Sequence, residues 1–80
     1  MKLPRDIKGT ELVQALRRFG YAVTRQVGSH VRLSTEHGGG HRLTVPLHRD
    51  IRVGTLDLIL EQVAEHFGLT RVEVRVRLFA

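Results

Sequence analysis

The sequence predicts an α+β fold, in which a three-stranded antiparallel sheet carries two helices packed on one of its faces. Two segments with apolar residues at helical spacing flank a central region where apolar and polar residues alternate. Glycine or proline stands at most points where the pattern changes, as is typical of turns and helix ends. Since each helix has one apolar stripe to bury, both must cover the same face of the sheet.

The first helix is predicted over residues 9–19, GTELVQALRRF. Gly20 follows it, and glycine is the residue that most often ends a helix. Its apolar side chains recur at helical spacing. They are Leu12, Val13, Leu16 and Phe19.

Three strands are predicted next, over residues 21–26, 30–35 and 41–46. The segment Val27-Gly28-Ser29 is a predicted turn, and the glycine-rich loop at residues 36–40 is expected to be flexible. Successive side chains of a strand point to opposite faces, so alternation assigns one set of residues to the open face, away from the helices. This set is His30, Arg32, Arg42 and Thr44.

The second helix is predicted to begin near Gly54-Thr55, with Thr55 as its N-cap, and to end at Gly68. The tail that follows fits two structures. Its alternating valines favour an edge strand that pairs with a partner, whereas Thr70 and Glu73 have the spacing of a capping box and favour a helix. The helix is the preferred of the two.

The charge of the chain indicates an anionic partner. Lys and Arg number 13 against 8 Asp and Glu, a net charge of +5, and most of the cations are Arg, whose planar guanidinium suits phosphate. Nucleic acid or a strongly acidic protein is therefore the expected partner, with a merely basic surface as the plain alternative. Cysteine is absent, which fits a reducing cytoplasm, and the N-terminal segment MKLPRDIKGTEL has no apolar run typical of a signal peptide.

His30 is the residue best suited to proton transfer. Histidine is the side chain whose ordinary pKa lies closest to neutrality. Arg32 and Arg42 on the same face could hold a phosphate and stabilise charge that develops on it, while RNA brings its own nucleophile, the 2′-hydroxyl. From spacing alone, an exposed polar residue or a simple phosphate contact is the commoner role for such a histidine.

Other arrangements of histidine and serine are weaker candidates. Ser29 and His30 are adjacent on a strand, so their side chains diverge and cannot form a nucleophilic pair. The HGGG sequence that opens residues 37–41 resembles an oxyanion motif of lipases, but the chain lacks their G-x-S-x-G elbow. A metal site would need His37 and His41, with or without His48, as ordered ligands, and a triglycine loop is poorly suited to that, so no metal is expected. His66 is expected to be solvated near a helix end.

Four further arginines lie near the ends of the two predicted helices. Arg49 and Arg52 precede the second helix, whose N-terminus could itself receive a phosphate, so both are predicted RNA contacts. Arg17 and Arg18 precede the end of the first helix, where complementing the helix dipole explains them equally well.

Four segments together resemble the HicA family of toxin ribonucleases, the small partners of HicB antitoxins. The segments occur in the family's order over about residues 8–62. They are KGTELVQAL followed by FGY, RQVGSH, TVPLH and RVGTLDLIL. The G-S-H triplet alone would be a weak signal, but the four segments in order are fairly specific.

The resemblance implies a double-stranded-RNA-binding-like α-β-β-β-α fold and metal-independent cleavage of mRNA without a cofactor. It makes His30 the catalytic residue, with Gly28 and Ser29 as its turn, and it implies a HicB-type antitoxin, expected to be acidic and to cover His30. The predicted RNA-binding residues are Arg25, Arg32, Arg42, His48, Arg49 and Arg52. A non-catalytic RNA-binding module of the same fold, or a domain that binds an acidic protein, are the alternatives.

The sequence departs from the family pattern in three places. Arg32 and Leu33 stand where the family often has an aromatic residue, the loop at 36–40 is unusually rich in glycine, and the second helix is longer. We expect a single domain over residues 1–80, with its core at about 8–68. The resemblance does not define whether the tail at 69–80 is a helix or an edge strand that pairs with a partner.

Overall fold

The structure, a computed structural model, describes residues 7–47 and 50–79 and confirms the α+β fold class. The predicted order of one helix, three strands and a second helix is present, with additions at both ends and before the second helix. The elements are β1 (Ile7–Lys8), α1 (Gly9–Phe19), β2 (Ala22–Val27), β3 (His30–Thr35), β4 (His41–Pro46), β5 (Asp50–Ile51), α2 (Val53–Phe67) and α3 (Arg71–Phe79).

The main sheet has the order β2-β3-β4 and is antiparallel throughout. On its inner face Val31 lies opposite Val45, and Leu33 lies opposite Leu43, and all four side chains are buried. The edge strand β2 is less well covered, since every residue in it is exposed and Val23 keeps 44% of its surface in solvent. The helices therefore cover β3 and β4 more completely than β2.

One apolar core joins the sheet to the three helices. Leu12 and Leu16 of α1 and Leu60 of α2 are fully buried, and burial of one leucine contributes about 2 kcal/mol. Leu56, Val63 and Val74 are buried completely in the same core. In the described part of the chain, no helix is both long enough and apolar enough to cross a membrane.

The tail forms the helix α3, so the helix and not the edge strand is the structure that it adopts. The backbone N–H of Thr70 donates to Oε1 of Glu73 at 3.0 Å, and the N–H of Glu73 donates to the Thr70 hydroxyl at 3.1 Å. This is the capping box predicted from the sequence. Val74 and Leu78 of α3 are buried, and α3 packs against both α1 and α2.

Helix α2 begins earlier than predicted. Arg52 occupies the N-cap position, and the N–H of Leu56 donates to its carbonyl oxygen at 2.9 Å. Thr55 therefore lies inside the first turn, and its predicted role as N-cap is wrong. The apolar stripe of the helix is as predicted, because it depends on spacing and not on where the first turn starts.

A short two-stranded ribbon was not predicted. Strands β1 and β5 pair antiparallel, with Ile7 opposite Ile51 and Lys8 opposite Asp50. Both isoleucines are buried, at 5% and 2% exposure. The ribbon thus fastens the segment before α1 to the segment before α2, and it adds two residues to the core.

Candidate active site and basic sheet face

His30 is presented by a two-residue hairpin turn between β2 and β3. Gly28 has φ +58°, and Ser29 at the second turn position does not have a positive φ, which is the pattern of a type II′ turn. Nε2 of Gln26 donates to the carbonyl oxygen of Gly28 at 3.1 Å, and the N–H of Leu47 donates to that of Ser29 at 2.6 Å. These bonds fix the backbone on which exposed His30 begins β3.

On the open face of the sheet, residues that face one another across the three strands form rows of side chains. From the hairpin turn outwards, the first, second and third rows are Val27/His30/Pro46, Arg25/Arg32/Thr44 and Ala22/Ser34/Arg42. Successive rows are two residues apart on β3, which corresponds to about 7 Å. The register thus places His30, Arg32 and Arg42 on one face, as alternation predicts, but Arg42 lies two rows from His30.

A bulge in β2 brings Arg25 to this face. The register shifts between Val23 and Arg25, so that Thr24 is the extra residue and Arg25 lies opposite Arg32. The Thr24 hydroxyl donates to the carbonyl oxygen of Arg32 at 3.3 Å. Without the shift, simple alternation from Val23 would turn Thr24 outwards and Arg25 towards the helices.

Four residues of the second and third rows line an open groove of about 510 Å³, called here the arginine groove. Arg25, Arg32 and Arg42 line it together with the Ser34 hydroxyl, and Glu36 lies at its far end. Like charges that face each other across strands destabilise a sheet. Over residues 7–47 and 50–79, none of these three guanidinium groups makes an ion pair or a side-chain hydrogen bond, so the groove is a concentrated cationic surface.

A cluster of aromatic rings closes the end of the sheet remote from His30. The Tyr21 hydroxyl shares a hydrogen bond of 2.8 Å with Nδ1 of His41, whose ring stacks on His66 at a centroid distance of 4.6 Å. Nε2 of His66 donates to the carbonyl oxygen of His37 at 2.8 Å. His66 is therefore a half-buried residue that holds the glycine-rich loop to α2, and its predicted solvated role is wrong.

Burial shifts the pKa values of two groups in this cluster. Tyr21 is 2% exposed, and burial raises its pKa from 10.0 to about 12. Burial lowers the pKa of His41, and the neighbouring charge of His66 lowers it further. Both groups are thus held in their neutral forms, which suits a hydrogen bond between a phenol and an imidazole.

The two histidines of the HGGGH segment take part in different contacts. His41 bonds to Tyr21, whereas the His37 ring lines a separate cavity of about 460 Å³ with Phe19 and Phe67. Among the residues that the structure describes, no three His, Asp or Glu side chains come together in a group that could hold a metal ion.

The remaining predicted RNA contacts precede α2. Arg52 is exposed at the N-cap of this helix, where the backbone N–H groups of the first turn also favour an anion. His48 and Arg49 lie outside the described residues.

A family model described as the HicA toxin of bacterial toxin-antitoxin systems matches residues 9–64. The match includes α1, the three-stranded sheet and most of α2. The chain belongs to the HicA toxin family. No curated protein matches this HicA toxin closely enough to be counted as a relative. Family membership implies a toxin–antitoxin system with an antitoxin as partner.

The family pattern and the strand alternation each leave one feature of the structure undescribed. The α3 helix and its contacts lie beyond the matched segment, so the family pattern does not describe them. The bulge at Thr24 gave no signal in the alternation, because Tyr21, Val23 and Thr24 are all common strand residues. The signal that would reveal the bulge is a conflict between the alternation along β2 and the regular register of the hairpin with β3.

Proposed function

We propose that this HicA toxin is an endoribonuclease that cleaves mRNA in the cytoplasm, with His30 as its proton-transfer group. One observation carries the proposal: His30 is exposed at the start of β3, one row from Arg25 and Arg32, in a chain of a toxin family. An imidazole beside two guanidinium groups fits a reaction in which a proton moves while negative charge grows on a phosphate.

In the proposed reaction, the RNA 2′-oxygen attacks the adjacent phosphorus. The new bond joins phosphorus to the 2′-oxygen, the bond to the 5′-oxygen breaks, and a cyclic phosphate and a 5′-hydroxyl result. His30 either accepts the proton of the 2′-hydroxyl or donates a proton to the leaving 5′-oxygen. One histidine cannot do both at once, so water or a second group transfers the other proton.

Arg25 and Arg32 are the cations that the register brings closest to His30 on the described part of the sheet. We assign them to the non-bridging oxygens of the scissile phosphate, where guanidinium groups stabilise developing charge. Arg42 lies another row away, so a joint role with Arg32 at this same phosphate, which the sequence suggested, fits the register less well. His48, Arg49 and Arg52 remain proposed contacts to other parts of the RNA.

The proposed partner of the toxin is a HicB-type antitoxin with an acidic surface that covers His30. Charge complementarity supports it, since the face around His30 carries Arg25 and Arg32 and the chain has a net charge of +5. A complex of this kind should protect RNA from cleavage, and it should weaken as the salt concentration rises.

The decisive experiment compares His30→Ala with His37→Ala, which removes an exposed imidazole far from the first row. The purified proteins are incubated with labelled mRNA, with and without a chelator. Loss of a proton-transfer group typically lowers the rate by ~10²–10⁴-fold. We expect this loss for His30→Ala alone, with an unchanged circular dichroism spectrum for both variants.

The possible results separate the candidate functions. Full activity of His30→Ala would refute the catalytic assignment. RNA binding by the wild type without any cleavage would instead identify a non-catalytic RNA-binding module. Loss of cleavage in the chelator would show that a metal takes part, contrary to the proposal.

A further inference from the structure

We propose that the arginine groove is a phosphate-binding subsite that holds the RNA backbone on one side of the scissile bond. The RNA strand would run along β3 from the first row to the third, with the scissile phosphate at His30. The Arg25–Arg32 pair would contact the scissile phosphate on one side and the following phosphodiester on the other, and the phosphodiester after that would lie at Arg42. This inference rests on the proposed ribonuclease function and extends it to the path of the substrate.

The spacing of the rows supports this path. The three rows advance by about 7 Å each along β3, and successive phosphates of an extended single strand are separated by a comparable distance. The groove of about 510 Å³ covers the second and third rows but is not lined by His30, so it adjoins the proposed catalytic position without including it. A substrate that reaches both must therefore extend along the strand.

The charges of the groove favour a polyanion. Arg25 and Arg32 face each other on neighbouring strands, where like charges destabilise the sheet unless an anion lies between them. The bulge at Thr24 creates this pair, and no acidic side chain in the described residues forms an ion pair with it. Glu36 at the far end would repel a further phosphate, which limits the groove to about two phosphodiesters.

The chemistry of the lining indicates that the groove contacts the backbone and not the bases. Sequence-specific recognition of single-stranded RNA commonly uses aromatic side chains that stack on bases. In the described part of the groove the lining contains no Phe, Tyr or Trp side chain, and the His41 ring that borders it already stacks on His66. The other polar groups of the lining include guanidinium groups and hydroxyl groups such as that of Ser34. Phosphate contacts position a substrate without reading its sequence, so the groove should accept any sequence.

The test uses DNA oligonucleotides that contain one ribonucleotide, because cleavage then occurs only where a 2′-hydroxyl is present. The shortest substrate has one nucleotide on each side of the scissile phosphate, and longer ones add two nucleotides on the 5′ or on the 3′ side. We expect kcat/KM to rise on extension at one side only. Replacing the added outer phosphate by a neutral methylphosphonate should remove the part of the gain that depends on Arg42.

Arg42→Ala is compared with Arg17→Ala, which makes the same change of charge at an exposed position of α1. On the extended substrate Arg42→Ala should raise KM about fivefold with kcat unchanged, because a remote contact binds ground state and transition state equally. It should have no effect on the shortest substrate, or on the methylphosphonate substrate. Arg17→Ala should behave as the wild type throughout.

The failure of this inference is distinguishable from failure of the proposed function. If the wild type cleaves through His30 but extension on either side changes nothing, or Arg42→Ala and Arg17→Ala behave alike, the groove is not a subsite. If no variant cleaves, the proposed function fails, and the groove is then tested by binding of the extended oligonucleotide. In that case Arg42→Ala should lower the slope of log affinity against log salt by about 0.7, and an unchanged slope would refute the subsite.

Discussion

Replacing Tyr21 by Phe should make the chain less stable at neutral pH but more stable in strong alkali. The substitution keeps the buried ring and removes the hydroxyl that bonds to Nδ1 of His41 at 2.8 Å. A hydrogen bond of this kind contributes about 1 kcal/mol to the free energy of unfolding. At neutral pH, Tyr21→Phe should therefore be about 1 kcal/mol less stable than the wild type.

The alkaline effect has the opposite sign and is larger. In the unfolded chain the phenol ionises near its usual pKa of 10.0, whereas burial raises the pKa of Tyr21 in the folded protein to about 12. Between these values the unfolded state loses its proton first, so stability falls as the pH rises. A difference of about two pKa units corresponds to about 2.7 kcal/mol, which the phenylalanine variant does not lose.

The two stability curves should therefore cross at about pH 11, where the ionisation loss equals the hydrogen-bond gain of about 1 kcal/mol. Urea unfolding followed by circular dichroism gives both curves over the alkaline range. All other titrating groups are common to the two proteins, so the difference between the curves isolates Tyr21.

The ionisation of Tyr21 can also be measured directly. The chain has one Tyr and no Trp, so the ultraviolet absorbance of phenolate follows this residue alone. A phenolate midpoint near pH 10 in a protein that is still folded would refute the argument from burial. Parallel loss of stability by the wild type and Tyr21→Phe would refute it as well.

Three further changes test other parts of the structure by urea unfolding. Gly9→Ala should cost about 1–3 kcal/mol, because a Cβ there would overlap the carbonyl oxygen of Pro46, and an unchanged midpoint would contradict this packing. Thr70→Ala should cost about 1 kcal/mol and reduce helical content through loss of the α3 cap, so equal helicity would count against the capping box. The stability of the wild type should fall as the pH drops below 6.5, because the pKa of His41 is lowered only in the folded state and the unfolded chain binds the proton first. The variant His41→Gln should show a smaller fall in stability. Retention of the full pH dependence in this variant would exclude His41 as its source.

Local patterns predicted the parts of the fold that depend on neighbours in sequence. The helix at Gly9–Phe19 and the strands at His30–Thr35 and His41–Pro46 have the predicted bounds, because periodicity and glycine stops act over a few residues. The capping box at Thr70 is local in the same sense, and it favoured the structure that α3 adopts.

Features that depend on distant segments were not predictable in this way. Ile7 and Ile51 lie in short charged segments, and they become core residues only because their strands pair across 44 positions of the chain. His66 looked like a solvated helix end, but the loop at His37 folds back and accepts its N–H. Tyr21 and His41 likewise meet only after the sheet has formed.

The bulge at Thr24 bears most directly on the candidate site, because it trades stability for charge on the open face. Without it, a threonine would face Arg32 across the strands, and the sheet would avoid the repulsion between two guanidinium groups. With it, Arg25 joins Arg32 one row from His30 and completes the arginine groove. Selection for stability alone would keep the threonine opposite Arg32. The pairing of Arg25 with Arg32 therefore indicates that this face binds an anion.

The same arrangement relates the proposed substrate to the proposed antitoxin. An acidic protein that covers His30 would neutralise Arg25 and Arg32 just as a phosphate does, and both ligands would relieve the same repulsion between strands. Their binding would then be mutually exclusive through shared charges as well as through bulk. Arg25→Ala should accordingly weaken RNA and antitoxin together, whereas inhibition by bulk alone would leave antitoxin affinity unchanged in this variant.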